Sequence, residues 1–141
     1  MENELKVVDI FIGTTLRGSA KGSGRAMYIM RTKRKNGSDY EAAPQIVEYD
    51  NTTESESVLR AIRDALQRLH YACTVVIHTE CSYVASAITQ HWPEKWQRNG
   101  WKSAKGNPVK NAVLWEMLLQ DVEDGLSLIH ISEPTRQEAI S

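Results

Sequence analysis

The feature that most constrains the fold of this chain is the run Thr74–Thr79, which is almost continuously apolar. A strand that is apolar on both faces is typical of the centre of a sheet. It follows a helical pattern, because Leu59, Ile62, Leu66 and Leu69 recur at spacings of three and four residues. A helix that leads into a central strand predicts a crossover connection and a mixed α/β sheet.

Three shorter strands are predicted before that helix. Asn36-Gly37 is a hairpin signal between the second and the third of them, and the tight connections favour an antiparallel meander. Thr53 and Glu56 have the spacing of a capping box, so the helix is predicted to begin there. The three predicted strands cover, in order, residues 7–12, 25–31 and roughly 45–49.

Composition limits the class of protein. With 141 residues, 17 Lys and Arg against 18 Asp and Glu, and 41% hydrophobic residues, the chain has the size of one domain with a sizeable core. No apolar run approaches the ~18 residues of a membrane-spanning helix, and the acidic segment 1–4 is not a signal peptide. Cys73 and Cys81 are too few for a disulfide framework. We therefore expect a cytoplasmic monomer that does not enter a membrane.

The positive charge and the tryptophans are segregated along the chain. Residues 17–35 carry seven basic side chains and no acidic one, and residues 95–110 carry five more and again no acid. All four Trp residues lie between positions 92 and 115. Lys interleaved with aromatic residues is typical of nucleic-acid binding, since ammonium groups meet phosphates and rings meet bases or sugars. Asn107-Pro108 is predicted to open a helix that follows this block.

A zinc site is the competing interpretation of a second pattern. His70, Cys73, His78 and Cys81 form two HxxC pairs, which resemble a set of zinc ligands. Cys73 and His78 lie at opposite ends of one predicted strand, however, so the four side chains would converge only if that strand were broken. The spacing favours a buried thiol and surface histidines.

Three motifs together identify a resemblance to the ribonuclease H type 1 family. Residues 79–84 read TECSYV, residues 96–102 read WQRNGWK, and residues 105–115 read KGNPVKNAVLW. The usual wording of the family at these places is TDSQYV, WKKNGWK and GKPVKNADLW. The resemblance covers roughly residues 7–124. It implies a mixed sheet of the five-stranded type, with three antiparallel strands, then a helix and a central strand, flanked by helices.

The resemblance also implies chemistry. Members of the family bind an RNA–DNA hybrid and cut the RNA strand with two divalent metals, Mg²⁺ or Mn²⁺, held by four carboxylates. The first-strand Asp of the family falls on Gly13 and the helix Glu falls on Val58, whereas the strand-end Asp corresponds to Glu80. Glu80 is therefore the one matched catalytic and metal-binding candidate. Glu54 is a candidate helper, while Asp9 lies about 13 Å from position 13 along the strand.

The binding residues of the family are matched more completely. The Trp residues could instead pack in the core rather than bind nucleic acid. We expect this for Trp115, which lies at the middle of an apolar helix face. Capping alone would explain Thr53, and Ser82 replaces the Gln of the family. The residues that the resemblance assigns to nucleic-acid binding are Thr53, Ser82, Trp96, Trp101, Lys102, Lys105 and Lys110.

The last residues have no counterpart in the family. We expect residues 1–125 to form the ribonuclease H-like domain and residues 126–141 to be an atypical, non-native tail. The last strand and the last helix of the fold would then be missing or altered, and with them the fourth carboxylate. In the alternative, residues 127–131 form a short strand.

Three functions remain open from the sequence. The first is a divergent ribonuclease H-like domain that binds an RNA–DNA hybrid or duplex and has lost most or all nuclease activity. The second is an active metal-dependent hybrid endoribonuclease that uses Glu80 with Glu54 or with another acid. The third is a protein-interaction module built on the same fold.

Overall fold

A computed structural model of the chain describes residues 6–17, 21–33, 36–69, 72–103, 105–125 and 128–131. Within these ranges the secondary structure alternates between strands and helices in the order that the hydrophobic periodicity predicts. The strands are β1 (Lys6–Thr14), β2 (Gly22–Lys33), β3 (Asp39–Glu41), β4 (Gln45–Thr52), β5 (Cys73–His78) and β6 (Leu128–Ile131). The helices are α1 (Glu54–Leu66), α2 (Ser82–Thr89), α3 (Trp92–Arg98) and α4 (Ala112–Asp124).

The strands form one mixed sheet in the order β3-β2-β1-β5-β6, and β4 also pairs with β2. β1 is antiparallel to β2 and parallel to β5, with Lys6 opposite Cys73 and Phe11 opposite His78. The chain therefore crosses over through α1 between β4 and β5. The predicted fold class, including the central position of β5, is confirmed.

The predicted third strand corresponds to β4, and a short strand that was not predicted, β3, precedes it. β3 pairs with Arg31–Lys33 near the end of β2, and β4 pairs with Gly22–Tyr28 near its beginning. Residues 42–44, between β3 and β4, belong to neither strand. Pro44 has no N–H group to donate to a neighbouring strand, so the interruption falls where the ladder is weakest. The sheet has six strands for this reason, where five were predicted.

α1 begins where its capping box predicts. Thr53 is the N-cap, its hydroxyl accepts a hydrogen bond from the Glu56 backbone N–H, and the Glu56 carboxylate accepts one from the Thr53 N–H. The apolar face of α1 covers the inner face of the sheet. The core comprises Val8, Ile10 and Ile12 of β1, Val75 and Ile77 of β5, and apolar residues of α1, α2 and α4.

α4 begins four residues later than predicted. Pro108 does not open it, because Pro108 forms an isolated bridge with Lys102 and the Val109 N–H donates to the Trp101 carbonyl at 3.1 Å. Asn111, in the left-handed region at φ 60°, is the N-cap of α4. The hydrogen bonds of the preceding hairpin-like loop therefore decide where the helix starts.

The sheet ends with β6. This strand is parallel to β5, with Thr74 opposite Leu128 and Ile77 opposite Ile131. The alternative in which residues 127–131 form a short strand thus matches the structure at Leu128–Ile131. Positions 126, 127 and 132–141 lie outside the described residues. The expected alteration of the last helix concerns these positions and is therefore also outside the described part of the chain. No helix in the described part of the chain is long and apolar enough to span a membrane.

Candidate functional site

The ends of β1 and β5 meet at one edge of the sheet, because the two strands are parallel. Gly13 lies near the end of β1, and Glu80 lies two residues after β5. α1 packs against this edge, where the Thr14 and Ser57 hydroxyl oxygens are 2.9 Å apart. The structure therefore brings positions 13, 58 and 80 to one region, as the resemblance predicts. We call this region the strand-end site and define it by Gly13, Thr14, Arg17, Ser57, Val58 and Glu80.

Two of the three expected acid positions hold no carboxylate, and they differ in their surroundings. Gly13 is exposed, and a Cβ placed on it would meet no atom within 4 Å. Val58 is fully buried and belongs to the hydrophobic core. Position 13 therefore has room for a larger side chain, whereas position 58 is filled by packing.

Glu80 is paired with an arginine that sequence reasoning did not single out. The Glu80 side chain is 92% exposed, and its Oε1 lies 3.9 Å from Nη2 of Arg17. Nη1 of Arg17 donates hydrogen bonds to the carbonyl oxygens of Thr14 and Leu16, both at 2.8 Å. The sequence signal for Arg17 was only its place at the start of the first basic block.

Glu54 is the first residue of α1, and its backbone carbonyl accepts a hydrogen bond from the Ser57 hydroxyl at 2.8 Å. Burial raises the pKa of the Cys81 thiol, and the Glu54 carboxylate adds to this rise, while Arg17 opposes it. The helper role of Glu54 stays a prediction.

Asp9 belongs to a separate cluster on the sheet. Its Oδ1 lies 2.9 Å from Nε2 of His78. The His78 ring stacks on the Phe11 ring with a centroid distance of 4.1 Å, and the Arg31 guanidinium lies over the Phe11 ring, 4.9 Å from its centroid. Asp9 is therefore held by β5 neighbours, four residues along β1 from position 13.

The zinc pattern is not assembled in the described residues. Cys73 is buried in the core, whereas His78 is on the opposite face of β5, as expected for positions five residues apart on one strand. Cys81 is buried at the N-cap of α2, and His70 lies outside the described residues. No group of three or more His, Cys, Asp or Glu side chains in the described ranges is placed to hold a metal ion.

The residues of the strand-end site do not fit a pair of divalent metals. Two metals of this kind need several carboxylates at fixed positions, and Mg²⁺ binds a lone carboxylate weakly. The donors described at this edge are the exposed Glu80, already beside a guanidinium, and the Thr14 and Ser57 hydroxyls. We therefore derive no metal-dependent step from this arrangement.

The second candidate region is the Trp-rich segment, which we define as residues 92–111. Trp115, just beyond it, is fully buried, and its indole N–H donates to the Tyr83 hydroxyl at 3.3 Å. The Trp96 ring lies edge-on to Trp115 at 6.1 Å, and Trp92 follows at 6.0 Å from Trp96. The prediction that Trp115 packs in the core is confirmed, and the segment is anchored to the core through it.

Trp96 and Trp101 lie between the core and the surface. Both are half-buried and pack against the core cluster. Trp101 has a left-handed backbone at φ 63°, and its N–H donates to the Trp96 carbonyl at 2.6 Å. The two rings therefore support the segment and also present part of their surface to solvent.

Lys102, Lys105 and Lys110 are exposed on the loop that follows Trp101. The loop backbone is fixed by the Asn99 side chain, whose amide donates to the carbonyls of Lys102 and Ser103 at 2.8 and 3.2 Å. A fixed backbone with three exposed ammonium groups and no nearby acid in sequence forms a positive surface. Its chemistry suits an anionic polymer.

Thr53 and Ser82 complete the predicted binding residues. Thr53 is 2% exposed and its hydroxyl is engaged in the capping box, so the structure shows its capping role. Ser82 is exposed at the start of α2. Asn111 lies in the third motif but was given no role from the sequence. Its side-chain amide donates a hydrogen bond to the Ser55 hydroxyl at 3.2 Å. This bond joins the starts of α1 and α4, and its sequence signal was the Asn within the third motif.

Comparison with known proteins gives a consistent result. The family model of RNase H matches residues 9–132. A ribonuclease H of Thermoanaerobacter sp. (strain X514) is 31% identical over 121 residues, which cover 85% of this chain and 73% of that protein. A ribonuclease H of Caldicellulosiruptor saccharolyticus is 41% identical over 71 residues, and this match spans about half of each chain (50% and 49%).

Solved structures show the same fold at lower identity. The crystal structure of LC9-RNase H1, described as a type 1 RNase H with the type 2 active-site motif, superposes with a TM-score of 0.73 at 20% identity, over 96% of this chain and 66% of that one. The foamy viral protease-reverse transcriptase in complex with RNA/DNA hybrid gives a TM-score of 0.68 at 13% identity, over 96% of this chain and 18% of that one. At these identities the likeness establishes the fold.

Proposed function

Since this chain belongs to the RNase H family, we propose that it binds an RNA–DNA hybrid or a related duplex and has little or no nuclease activity. The observation that carries the proposal is the contrast at the expected acid positions: Val58 is buried in the core, Gly13 has no side chain, and Glu80 is beside Arg17. The positive surface of the Trp-rich segment remains available for binding.

The binding half of the proposal is supported by charge and ring placement. Lys102, Lys105 and Lys110 are exposed on a loop whose backbone is hydrogen-bonded into place. Trp96 and Trp101 are half-exposed beside them. A foamy viral enzyme with the same fold was solved with an RNA/DNA hybrid, which makes the hybrid the first ligand to test.

The catalytic half is supported by chemistry. Two-metal cleavage needs carboxylates that fix both ions about 4 Å apart, so that one activates water and the other stabilises the leaving oxygen. A valine at position 58 supplies no ligand, and its burial leaves no path for an ion to reach it. If Mg²⁺ or Mn²⁺ enters at all, Glu80 would be its protein ligand.

The test combines binding and cleavage on one labelled hybrid. We expect the wild-type chain to bind the hybrid without cutting it in Mg²⁺ or Mn²⁺. The double variant Lys102→Ala/Lys105→Ala should weaken binding roughly tenfold or more at low salt and lower the slope of log affinity against log salt by about two. Lys33→Ala is the matched control, since Lys33 is an exposed lysine at the far end of the sheet, paired with Asp39.

A second function is an active endoribonuclease, since relatives of this chain are named ribonuclease H and Glu80 keeps a carboxylate at one expected acid position. Metal-dependent cleavage that disappears in Glu80→Ala would establish it and overturn the loss of activity. Absence of binding to any duplex at low salt, with no effect of the lysine variants, would instead favour a protein-interaction module.

A further inference from the structure

The strand-end site contains a cation at the place where the resemblance expects metals. Nη1 of Arg17 donates to two backbone carbonyls, those of Thr14 and Leu16, at 2.8 Å each. Nη2 lies 3.9 Å from Glu80 Oε1, and the Arg17 side chain is 66% exposed. The guanidinium is therefore held between the end of β1 and Glu80, which follows β5.

The loop that carries Arg17 is positioned by close packing. A Cβ at Gly24 would lie 2.6 Å from Cγ of Leu16, so the Leu16 side chain sits directly over the glycine. The Leu16 N–H also donates to the Thr14 hydroxyl at 3.2 Å, and the Thr15 N–H donates to the Arg25 carbonyl at 3.0 Å. These contacts hold the backbone to which the guanidinium is hydrogen-bonded.

A guanidinium fixed in this way suits a phosphate. Its planar N–H groups match two phosphate oxygens, and it stays charged at any physiological pH. The pairing with Glu80 is an exposed ion pair at a long distance, and exposed pairs contribute little, so a phosphate can replace the carboxylate. The buried Ser57 hydroxyl is bonded to the Thr14 hydroxyl and to the Glu54 carbonyl, so the Arg17 guanidinium is the group of this site that is offered to a phosphate.

We propose that Arg17 is a phosphate-binding residue of the strand-end site, which gives the bound nucleic-acid backbone a fixed positive charge that does not depend on metal. The inference rests on the proposed binding function. It assigns this edge of the sheet to binding, with Arg17 contacting the phosphate and Glu80 competing with it.

The experiment measures affinity for a labelled RNA–DNA hybrid by fluorescence anisotropy, in EDTA, at several KCl concentrations. Arg17→Ala should weaken binding about three- to tenfold at low salt and lower the salt slope by about one, as for one lost phosphate contact. Arg17→Lys should keep the slope and lose only part of the affinity, because it retains the charge without the two-pronged geometry. Lys33→Ala should match wild type.

Glu80→Gln separates this role from a metal-binding role. Removing the competing carboxylate should tighten binding in EDTA about two- to threefold, since the Arg17 guanidinium is then no longer paired with Glu80. Unchanged melting temperatures of the Arg17 variants will show that their weaker binding is not caused by a loss of stability, as expected for a side chain that is 66% exposed.

The outcomes distinguish the two proposals. If wild type binds but Arg17→Ala binds equally well with the same salt slope, the role of Arg17 is wrong and the binding function stands. Weaker binding by Glu80→Gln in EDTA would also overturn the role of Arg17. If the wild-type chain does not bind the hybrid at all, both proposals are overturned.

Discussion

The Trp-rich segment and the strand-end site differ in how their side chains relate to the core. In the Trp-rich segment the rings of Trp96 and Trp101 pack against the core while part of each faces solvent, and Trp96 contacts the buried Trp115. In the strand-end site, Gly13 and Glu80 are exposed and make no packing contribution. Only Val58 is part of the core there.

The difference has a physical consequence. Residues that both pack and bind are held in place by the free energy of folding, so changing them costs stability as well as binding. Exposed carboxylates at a strand end contribute little to stability, and charges held close together oppose folding. The exposed strand-end positions 13 and 80 can therefore change without loss of the fold, whereas the rings of the Trp-rich segment cannot.

The largest expected effect is that of Trp115→Ala. Removing a fully buried indole leaves a large cavity under Trp96, so we expect a loss of about 3–5 kcal/mol in the free energy of unfolding. Urea denaturation followed by circular dichroism measures it. A loss below about 1 kcal/mol would mean that the Trp-rich segment is not anchored through this residue, and the comparison would fail.

Val58→Glu should be nearly as costly. A carboxyl group at this fully buried position has no described partner, so we expect a loss of about 3 kcal/mol at neutral pH. Burial raises the pKa of such a carboxyl, so the penalty should shrink as pH falls below that raised pKa and the group becomes neutral. Denaturation at neutral and acidic pH measures this, with Val58→Leu as an apolar control. A variant as stable as wild type at neutral pH would show that position 58 opens to solvent.

Tyr83→Phe should have an intermediate effect. The Tyr83 hydroxyl accepts the buried Trp115 indole N–H, so its removal should cost about 1–2 kcal/mol. Burial raises the pKa of Tyr83 above its ordinary value near 10, although the hydrogen bond from Trp115 opposes the rise. A raised folded pKa stabilises the fold below pH ~10, and this contribution is lost as pH rises through the folded pKa. Tyr83→Phe should therefore show a smaller alkaline loss of stability than wild type in pH-dependent melts.

Gly13→Asp should have the smallest effect on stability. A Cβ at this position meets no atom within 4 Å, so we expect a change within about 0.5 kcal/mol. Thermal melting of this variant beside Gly24→Ala gives a matched pair of glycines, because a Cβ at Gly24 would collide with Leu16. A large loss of stability for Gly13→Asp would show that neighbouring groups pack tightly against position 13.

Much of the fold followed from local patterns. The capping box at Thr53 and Glu56 gave the start of α1, and the apolar run at 74–79 gave the central strand, because both signals act within a few residues. The start of α4 was misplaced at Pro108, since the bridge to Lys102 depends on a loop closing on itself. The short strand β3 was also missed, because its three residues form a strand only where β2 is long enough to pair with both β3 and β4.

The candidate site was predicted in part. The family resemblance assigned positions 13, 58 and 80 to the site, and the structure brings them to one edge of the sheet. Arg17 was not singled out within its basic block, because its carboxylate partner, Glu80, lies 63 positions further along the chain. Asn111 was missed as a link between helices for the same reason, since Ser55 lies 56 positions away.

The sequence by itself determined the order of the elements, the family resemblance and the absence of carboxylates at positions 13 and 58. These depend on residue identity and on spacing along the chain. Only the tertiary structure decided that position 58 is closed by packing while position 13 is open, and that a guanidinium lies beside Glu80. Burial and charge pairing depend on which surfaces meet when α1 packs across parallel strands, and that is a property of the folded chain.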